Sequence, residues 1–222
     1  MILRVVRGRI RPGERQAVLD AMRADYGPIL ATTAGILRFV LGVRPLPTGG
    51  DRLAALSIWD SLDSAGAAYG GDLTAPRTID GHDRGAVYDT VAYYELEALR
   101  TARAGEPPHL LRVTAGTVSR GLDADIQADL RTRLSELPSE VAEAYVGRRV
   151  IGQKVEIAFL STWTTVPAGR SLDEPIWPDI SERYDTFALE VHEVALIGDG
   201  PAAAGPAGAG PAGAGAGSAG PG

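Results

Sequence analysis

The residues best suited to acid–base chemistry in this chain are a glutamate and a histidine two positions apart, Glu190 and His192. They lie in a segment over 184–195 whose pattern predicts a β-strand, and strand residues two positions apart project from the same face. A histidine next to a carboxylate can act as a general base near neutral pH. Arg112, in another predicted strand, could stabilise the anion that such a base creates. We therefore take His192, Glu190 and Arg112 as candidate catalytic residues.

Other side chains are candidates for binding a ligand rather than for catalysis: Trp59, Trp163, Tyr94 and Arg4. The tryptophans could form aromatic walls for a planar molecule. Each set of candidates has a structural alternative. The tryptophans could instead be core anchors, since large aromatic side chains dominate cores. Glu190 could pair with an arginine as scaffolding, while His192 lies in water at a strand end.

Metal and cofactor chemistry finds little support in the sequence. The three histidines, His82, His109 and His192, fall on different predicted elements and lack metal-ligand spacing. The chain contains no cysteine, which excludes disulfides, thiolate metal sites and a cysteine nucleophile. It also lacks a glycine-rich phosphate loop and a nucleophile elbow. We expect neither a metal nor a cofactor.

The composition of the chain argues against some classes of binding partner. The formal net charge of −6 argues against non-specific binding of nucleic acid, which needs a positive field. No apolar run reaches the ~20 residues that a membrane helix needs, and the N-terminus lacks the apolar core of a signal peptide. We expect a cytoplasmic protein with no nucleic-acid or membrane partner. A small aromatic molecule is the expected ligand, and a homodimer is compatible with the sequence.

The secondary-structure elements that position these residues are predicted to occur twice in the chain. Four short motifs of the first half return in the same order in the second half, which predicts two copies of one unit of roughly a hundred residues. The pairs are Leu3-Arg4-Val5 and Leu111-Arg112-Val113, Gly42-x-Arg44 and Gly147-x-Arg149, Leu56-Ser57-x-Trp59 and Leu160-Ser161-x-Trp163, and Tyr88-Asp89-Thr90 and Tyr184-Asp185-Thr186.

Each copy is predicted to have the element order β-α-β-β-α-β. In the first copy, strands are predicted over 2–10, 36–44, 53–59 and 87–96. In the second copy, the first strand is predicted to begin near 110, and the other three are predicted over 143–150, 155–163 and 184–195. Ile126, Leu130, Leu134, Leu137 and Val141 follow helical spacing, with Asp123 as the expected N-cap. Pro28 and Pro138 should kink or interrupt the first helix of each copy. The second helix is predicted over 61–69 in the first copy, whereas 166–178 contains three prolines and is predicted to be a loop.

This order is the ferredoxin-like motif, which covers one sheet face with helices and leaves the other face bare. We therefore predict an α+β fold in which tandem ferredoxin-like repeats pack their sheets into one α+β barrel, an intrachain pseudo-dimer. The repeats are placed at 1–99 and 109–198, joined by a linker over 100–108. A Gly/Ala/Pro tail over 199–222 is expected to be disordered. Strand alternation is expected to place Arg4, Arg112, Tyr94, Glu190 and His192 in the barrel lumen.

With a tryptophan at the end of each third strand, in Ser57-Ile58-Trp59-Asp60 and Ser161-Thr162-Trp163, each copy resembles the antibiotic-biosynthesis-monooxygenase (ABM) domain of the dimeric α+β barrel superfamily. The resemblance covers about 2–97 and 110–196. It implies a lumen that binds a small, often aromatic molecule. Several relatives oxidise phenolic polycycles with dioxygen and no cofactor, and others bind and degrade haem. The polyketide-oxidising kind has an asparagine four residues before the tryptophan, where this chain has Ala55 and Phe159.

Two functions follow from the resemblance and the candidate residues. One is a cofactor-independent monooxygenase that acts on a small aromatic or polyketide-like substrate, as the Glu190/His192 pair and the specialised second copy suggest. The other is a non-catalytic barrel that binds a ligand or a partner, which the absence of asparagine favours. Haem binding or degradation ranks third, with His192 as the only histidine expected in the lumen.

Overall fold

The structure is a computed structural model that describes residues 1–75, 85–101, 106–167, 169 and 171–201. Within these residues the strands are β1 (Ile2–Ile10), β2 (Ile36–Pro45), β3 (Asp51–Trp59), β4 (Ala86–Thr101), β5 (Leu110–Ser119), β6 (Val141–Ile151), β7 (Lys154–Trp163) and β8 (Thr186–Asp199). The helices are α1 (Arg15–Thr32), α2 (Leu62–Ala68), α3 (Asp123–Arg133) and α4 (Pro178–Ser181). The predicted α+β class is confirmed.

The eight strands close into one barrel in the order β1-β3-β2-β8-β5-β7-β6-β4, and all neighbouring pairs are antiparallel. The long strands β4 and β8 join the two halves of the chain. β4 pairs with β1 over its first part and with β6 over its last part. β8 pairs in the same way with β5 and then with β2. Closure pairs the strand edges that two separate sheets would expose.

The observed elements extend past two of the predicted boundaries. β4 continues to Thr101, into the predicted linker, and β8 continues to Asp199, into the predicted tail. Residues 102–105 of the predicted linker and 202–222 of the predicted tail lie outside the described residues. His82 also lies outside them. In the part of the chain that the structure describes, no helix is long and apolar enough to cross a membrane.

The helices follow the predicted pattern, with two corrections in α3 and one in α1, where the predicted interruption at Pro28 is absent. α3 ends at Arg133 and a 3₁₀ turn follows, while Val141 begins β6, so the predicted continuation of the helix to Val141 is wrong. Pro138 lacks the N–H that a continuing helix needs. The predicted N-cap is also wrong, because Leu122 is the N-cap and Asp123 is the first helical residue. α1 continues through Pro28 without interruption.

Both faces of the sheet are buried. Inside the barrel, side chains of both halves form one apolar cluster that includes Leu3, Val5, Leu56, Leu111, Val113 and Leu160. Outside the barrel, α1 and α2 cover the first half. α3, α4 and the segment over 164–177 cover the second half. Because side chains occupy the interior, space for a ligand has to be found on the outer face, beneath these covering elements.

The repeated motifs make equivalent contacts in both halves. A Cβ atom at Gly8 would lie 2.6 Å from the carbonyl oxygen of Val87 and 3.2 Å from the Cα of Tyr88. A Cβ atom at Gly116 would lie 2.2 Å from the ring of Tyr184. In each half, therefore, only glycine leaves room for the backbone and the tyrosine that begin the closing strand.

Candidate functional site

The structure divides the predicted site residues between the two faces of the sheet. His192, Glu190 and Tyr94 face the barrel interior, as predicted. Arg4, Arg112, Trp59 and Trp163 lie on the outer face, so the prediction that both arginines line the lumen is wrong. On β1 and β5 the interior is lined by the apolar residues that alternate with the arginines, namely Leu3, Val5, Leu111 and Val113.

The interior histidine and glutamate belong to a network of charged groups. Glu190 lies 3.2 Å from Arg7, 3.4 Å from the Nε2 atom of His192 and 3.9 Å from Arg44. Burial alone would raise the pKa of Glu190, but the hydrogen bond with His192 and the charge of Arg7 outweigh it and lower that pKa to about 2. Glu190 is therefore a carboxylate held by two arginines.

His192 is fully buried within this network. A Cβ atom at Gly42 would lie only 2.6 Å from the Cβ of His192 and 3.2 Å from Leu111, so the glycine of the Gly-x-Arg motif makes room for the histidine. The expectation that His192 lies in water at a strand end is wrong, because the residue is buried. The pairing of Glu190 with Arg7 fits the scaffolding alternative, and the catalytic role of His192 stays a prediction.

Tyr94 occupies the corresponding place at the other Gly-x-Arg motif. It is buried against Gly147, where a Cβ would lie 2.7 Å from the tyrosine Cβ. The guanidinium of Arg149 lies 5.1 Å from the centre of its ring. Burial, and to a lesser extent the nearby Glu156, raises the pKa of Tyr94 to about 12, so its hydroxyl stays protonated at neutral pH.

The two tryptophans are anchors of the outer layers. Trp59 is fully buried and donates its indole N–H to the Ser57 hydroxyl at 2.9 Å. Trp163 donates to Ser161 at 2.8 Å in the same way. The Ser-x-Trp repeat therefore satisfies the indole N–H that burial would otherwise leave unpaired. These contacts favour the core-anchor alternative, although Trp163 also borders a cavity.

Arg4 is enclosed by tyrosines on the outer face of the first half. It donates to the hydroxyl of Tyr69 at 2.9 Å and to the hydroxyl of Tyr93 at 2.9 Å. Its guanidinium also lies 3.7 Å from the centre of the Tyr69 ring, a cation–π distance. Tyr69 directly follows α2 and packs edge-on against Trp59. The first half thus fills the space over its arginine with side chains of its own.

Arg112 occupies the equivalent position of the second half, without a phenol over it. Between β7 and β8, where the first half has α2 in the element order, the second half has only the four-residue helix α4, and the described residues of 164–177 before it form no helix, as expected. Arg112 donates to the backbone carbonyls of Leu172 and Glu174, at 3.1 and 2.6 Å. The residue is about 1% exposed. Burial lowers its pKa to about 10, against a smaller opposing effect of Asp173.

Two cavities meet at Arg112, and both are also lined by Pro175 and Ile176. The larger, of about 170 Å³, lies between Trp163 and a loop that contributes Gly169, Ser171, Leu172 and Glu174. The smaller, of about 30 Å³, lies under α3 and α4. Its further lining consists mainly of aromatic and apolar side chains, with one strand hydroxyl: Phe159, Trp177, Tyr184, Phe187, Leu130, Ile180 and Thr114. We name this pair of cavities the Arg112 pocket.

The Arg112 pocket combines apolar and aromatic walls with a buried cation and a few polar side chains, among them Ser171 and Glu174. In the part of the chain that the structure describes, no carboxylate forms an ion pair with Arg112, which bonds only carbonyl oxygens. The charge of Asp173 acts on Arg112 less strongly than burial does. A buried guanidinium that no ion pair neutralises favours the arrival of an anionic group. Sequence reasoning missed the aromatic wall because Trp177 lies in the predicted loop and Tyr184 at the start of a predicted strand, where no local pattern assigns either to a site, but the proline-rich asymmetry of the second half was a usable signal.

Nothing in the described residues suggests a metal centre. No group of three or more histidine, aspartate or glutamate side chains within them is placed to hold a metal ion. The chemistry available in the Arg112 pocket is therefore that of the guanidinium, the neutral hydroxyls and the aromatic faces.

The sequence matches no protein-family profile and no curated protein. Solved structures share the fold. A candidate monooxygenase from Fusobacterium nucleatum superposes with a TM-score of 0.67 at 9% identity, over 89% of this chain and 94% of its own. A candidate monooxygenase from Lactobacillus acidophilus gives 0.64 at 8% identity, over 90% and 96%. An anthrone oxidase-like protein gives 0.54 at 12% identity, over 91% and 96%. At such identities the likeness shows the α+β barrel fold alone.

Proposed function

We propose that this protein binds a small aromatic molecule with an acidic oxygen in the Arg112 pocket. The buried guanidinium of Arg112 carries the proposal, because its hydrogen-bond partners among the described residues are two loop carbonyls and no carboxylate pairs with it there. A phenolate or carboxylate oxygen would supply an ion-pair partner. The aromatic walls would cover the faces of the ring, as is usual for sites that bind small molecules.

The first half of the chain supports an aromatic ligand. There, the equivalent arginine, Arg4, has the phenol of Tyr69 stacked on its guanidinium and hydrogen-bonded to it through the hydroxyl. Tyr69 therefore shows a geometry in which a hydroxylated ring binds to an arginine at this position of the repeat. In our proposal a free molecule takes that position at Arg112.

The internal duplication belongs to the same proposal. We interpret the chain as two fused ABM-like units, bounded near 1–99 and 109–198, of which the first has lost its open pocket and the second has kept it. Each half contributes four neighbouring strands to the closed barrel, β4-β1-β3-β2 and β8-β5-β7-β6, and the equivalent strands follow one another in the same order, which supports this interpretation. A fused pair can change one pocket while preserving the other, which a symmetric homodimer cannot do.

Oxygenation without a cofactor is the reaction we propose for a suitable ligand. An aromatic ketone with an activated CH₂ group, such as anthrone, can lose a proton to give a resonance-stabilised anion that reacts with dioxygen. The carbon becomes a carbonyl, one oxygen atom enters the product and the other leaves as water, so no further reductant is needed. Arg112 would stabilise the anion on the substrate oxygen. The fold shared with candidate monooxygenases and an anthrone oxidase-like protein supports this reaction class.

Binding is tested by calorimetry with p-cresol as the probe. Wild type should bind p-cresol, and Arg112→Met should weaken binding at least tenfold. Arg23→Met, which removes an exposed arginine of α1, is the matched control and should leave binding unchanged. Equal affinities of wild type and Arg112→Met would overturn the proposed site. Binding of p-cresol without oxygen uptake on anthrone would identify the non-catalytic alternative.

Oxygen consumption with anthrone tests the catalytic part. Arg112→Met should lower the rate by about 10²–10³-fold, as expected for a residue that stabilises an oxyanion. His192→Gln tests the predicted base in the same assay. Because His192 faces the barrel interior and Arg112 the outer face, we expect a rate within about tenfold of wild type, which would exclude His192 as the base. A loss of ~10²–10⁴-fold at an unchanged melting temperature would instead place the substrate on the interior side of the sheet and overturn the Arg112 pocket as the site of the reaction.

A further inference from the structure

Thr114 is a buried polar side chain of the Arg112 pocket that the proposed function does not use. It lies on β5 two residues after Arg112, so both side chains project from the outer face. Thr114 is only 8% exposed and lines the smaller cavity together with Tyr184 and Phe187. Among the residues that the structure describes, none forms a hydrogen bond with its hydroxyl. A buried hydroxyl without a partner destabilises a fold, so it calls for an explanation.

The first half of the chain lacks this hydroxyl. Val6 follows Leu3-Arg4-Val5 as Thr114 follows Leu111-Arg112-Val113. Val6 is fully buried and lines a small cavity beneath α1, together with Arg4 and Met22. Valine and threonine have nearly the same shape and differ in one hydroxyl group. The fold is thus compatible with valine at this place, and the hydroxyl occurs only in the half with the open pocket.

We propose that Thr114 determines specificity by binding a second oxygen of the ligand. This inference rests on the proposed function and narrows the ligand to aromatic molecules with two oxygen substituents, one on Arg112 and one on Thr114. The Cα atoms of residues two apart on a strand are separated by about 6.6 Å, so one ring can reach both side chains. A hydroxyl both donates and accepts, so the second oxygen can be a hydroxyl or a carbonyl.

Two probes of the same shape test the inference. Hydroquinone and p-cresol differ by a hydroxyl in place of a methyl group. In anaerobic calorimetry, wild type should prefer hydroquinone by about five- to tenfold, the value of one buried hydrogen bond. Thr114→Val should remove this preference or reverse it while still binding p-cresol. Val6→Thr, the reciprocal change in the first half, is the matched control and should keep the wild-type preference.

Thermal unfolding without a ligand separates this role from a structural one. Thr114→Val should melt at the same or a higher temperature than wild type, because it removes an unsatisfied hydroxyl, and Val6→Thr should melt lower. A lower melting temperature for Thr114→Val would show that the hydroxyl has a structural partner and would overturn the inference. So would an unchanged preference for hydroquinone. Failure of wild type to bind either probe would overturn the proposed function itself.

Discussion

The guanidinium of Arg38 lies 2.8 Å from the carboxylate of Glu143 and connects opposite walls of the barrel. Arg38 belongs to β2 and Glu143 to β6, and these strands are four places apart in the closed order of eight. Burial alone would lower the pKa of Arg38, but the charges of Glu143 and Asp199 raise it above its ordinary value. The ion pair therefore joins the two halves through the barrel rather than along a shared strand edge.

We expect Arg38→Met to lower the free energy of unfolding by about 1–3 kcal/mol, because it leaves Glu143 without its cation in a mostly buried place. Urea denaturation measures this loss. The double variant Arg38→Met/Glu143→Leu should lose less than the sum of the two single variants. Arg23→Met, whose ion pair with Asp20 is exposed, should stay within about 0.5 kcal/mol of wild type. Strict additivity of the two changes would show that the pair contributes nothing.

Strand alternation predicted one part of the site and failed for another. On β8 it correctly placed Glu190 and His192 inside, because Phe187 marks the face that meets the covering layer. On β1 both faces are buried, with Leu3 at 0% and Arg4 at 4% exposure. A two-residue period shows that the faces differ but not which one is inside. The partners of Arg4 are hydroxyls distant in sequence, which no local pattern reveals.

The end of α3 shows a second limit of periodicity. Leu134 and Leu137 continue the helical spacing of Ile126 and Leu130, yet the helix ends at Arg133. All four leucine and isoleucine side chains pack into one cluster with Val141. The 3₁₀ turn and the start of β6 keep these residues in the same layer, so the burial pattern persists while the backbone changes. The spacing of the apolar residues correctly predicted which side chains are buried together, but it predicted the helical backbone only as far as Arg133.

Acid stability should depend on Glu190. Its pKa falls from the ordinary 4.5 to about 2 in the folded protein, so its contribution to stability is complete above about pH 5 and is lost as the pH falls toward 2. Glu190→Gln should therefore be less stable than wild type at pH 7, and this difference should shrink between pH 5 and pH 2. Urea denaturation across this range measures it. A difference that is independent of pH would contradict the assignment, and Glu193→Gln, an exposed site on the same strand, is the control.

The interior should not tolerate a side chain at Gly42. Gly42→Ala places its methyl group against the Cβ of His192, which no rotamer change relieves, and we expect a loss of about 1–3 kcal/mol. Gly66→Ala, in α2, is the control, because its new methyl group would lie 4.0 Å from the nearest neighbouring side-chain atom. That change should leave stability equal or raise it by up to about 1 kcal/mol. Thermal unfolding compares the two, and equal melting temperatures would contradict the packing of the interior.

The fused-pair interpretation predicts the behaviour of the first half alone. A fragment of residues 1–101 would expose the apolar face that the second half covers, including Leu3, Val5 and Leu56. We expect it to associate with itself, since an apolar sheet face of this size is unstable in water. Sedimentation equilibrium should give a dimer or a larger assembly. A folded monomer would show that the first half does not need the second.

A larger side chain in the Arg112 pocket should weaken ligand binding without lowering the stability of the fold. Ile176 lines both cavities, so Ile176→Phe extends a ring into space that the ligand needs. We expect the affinity for p-cresol to fall at least tenfold, while the melting temperature stays equal or rises because the added atoms gain contacts in a void. Ile151→Phe makes the same change at an exposed end of β6 and should leave binding unchanged. Undiminished binding to Ile176→Phe would place the ligand outside the Arg112 pocket.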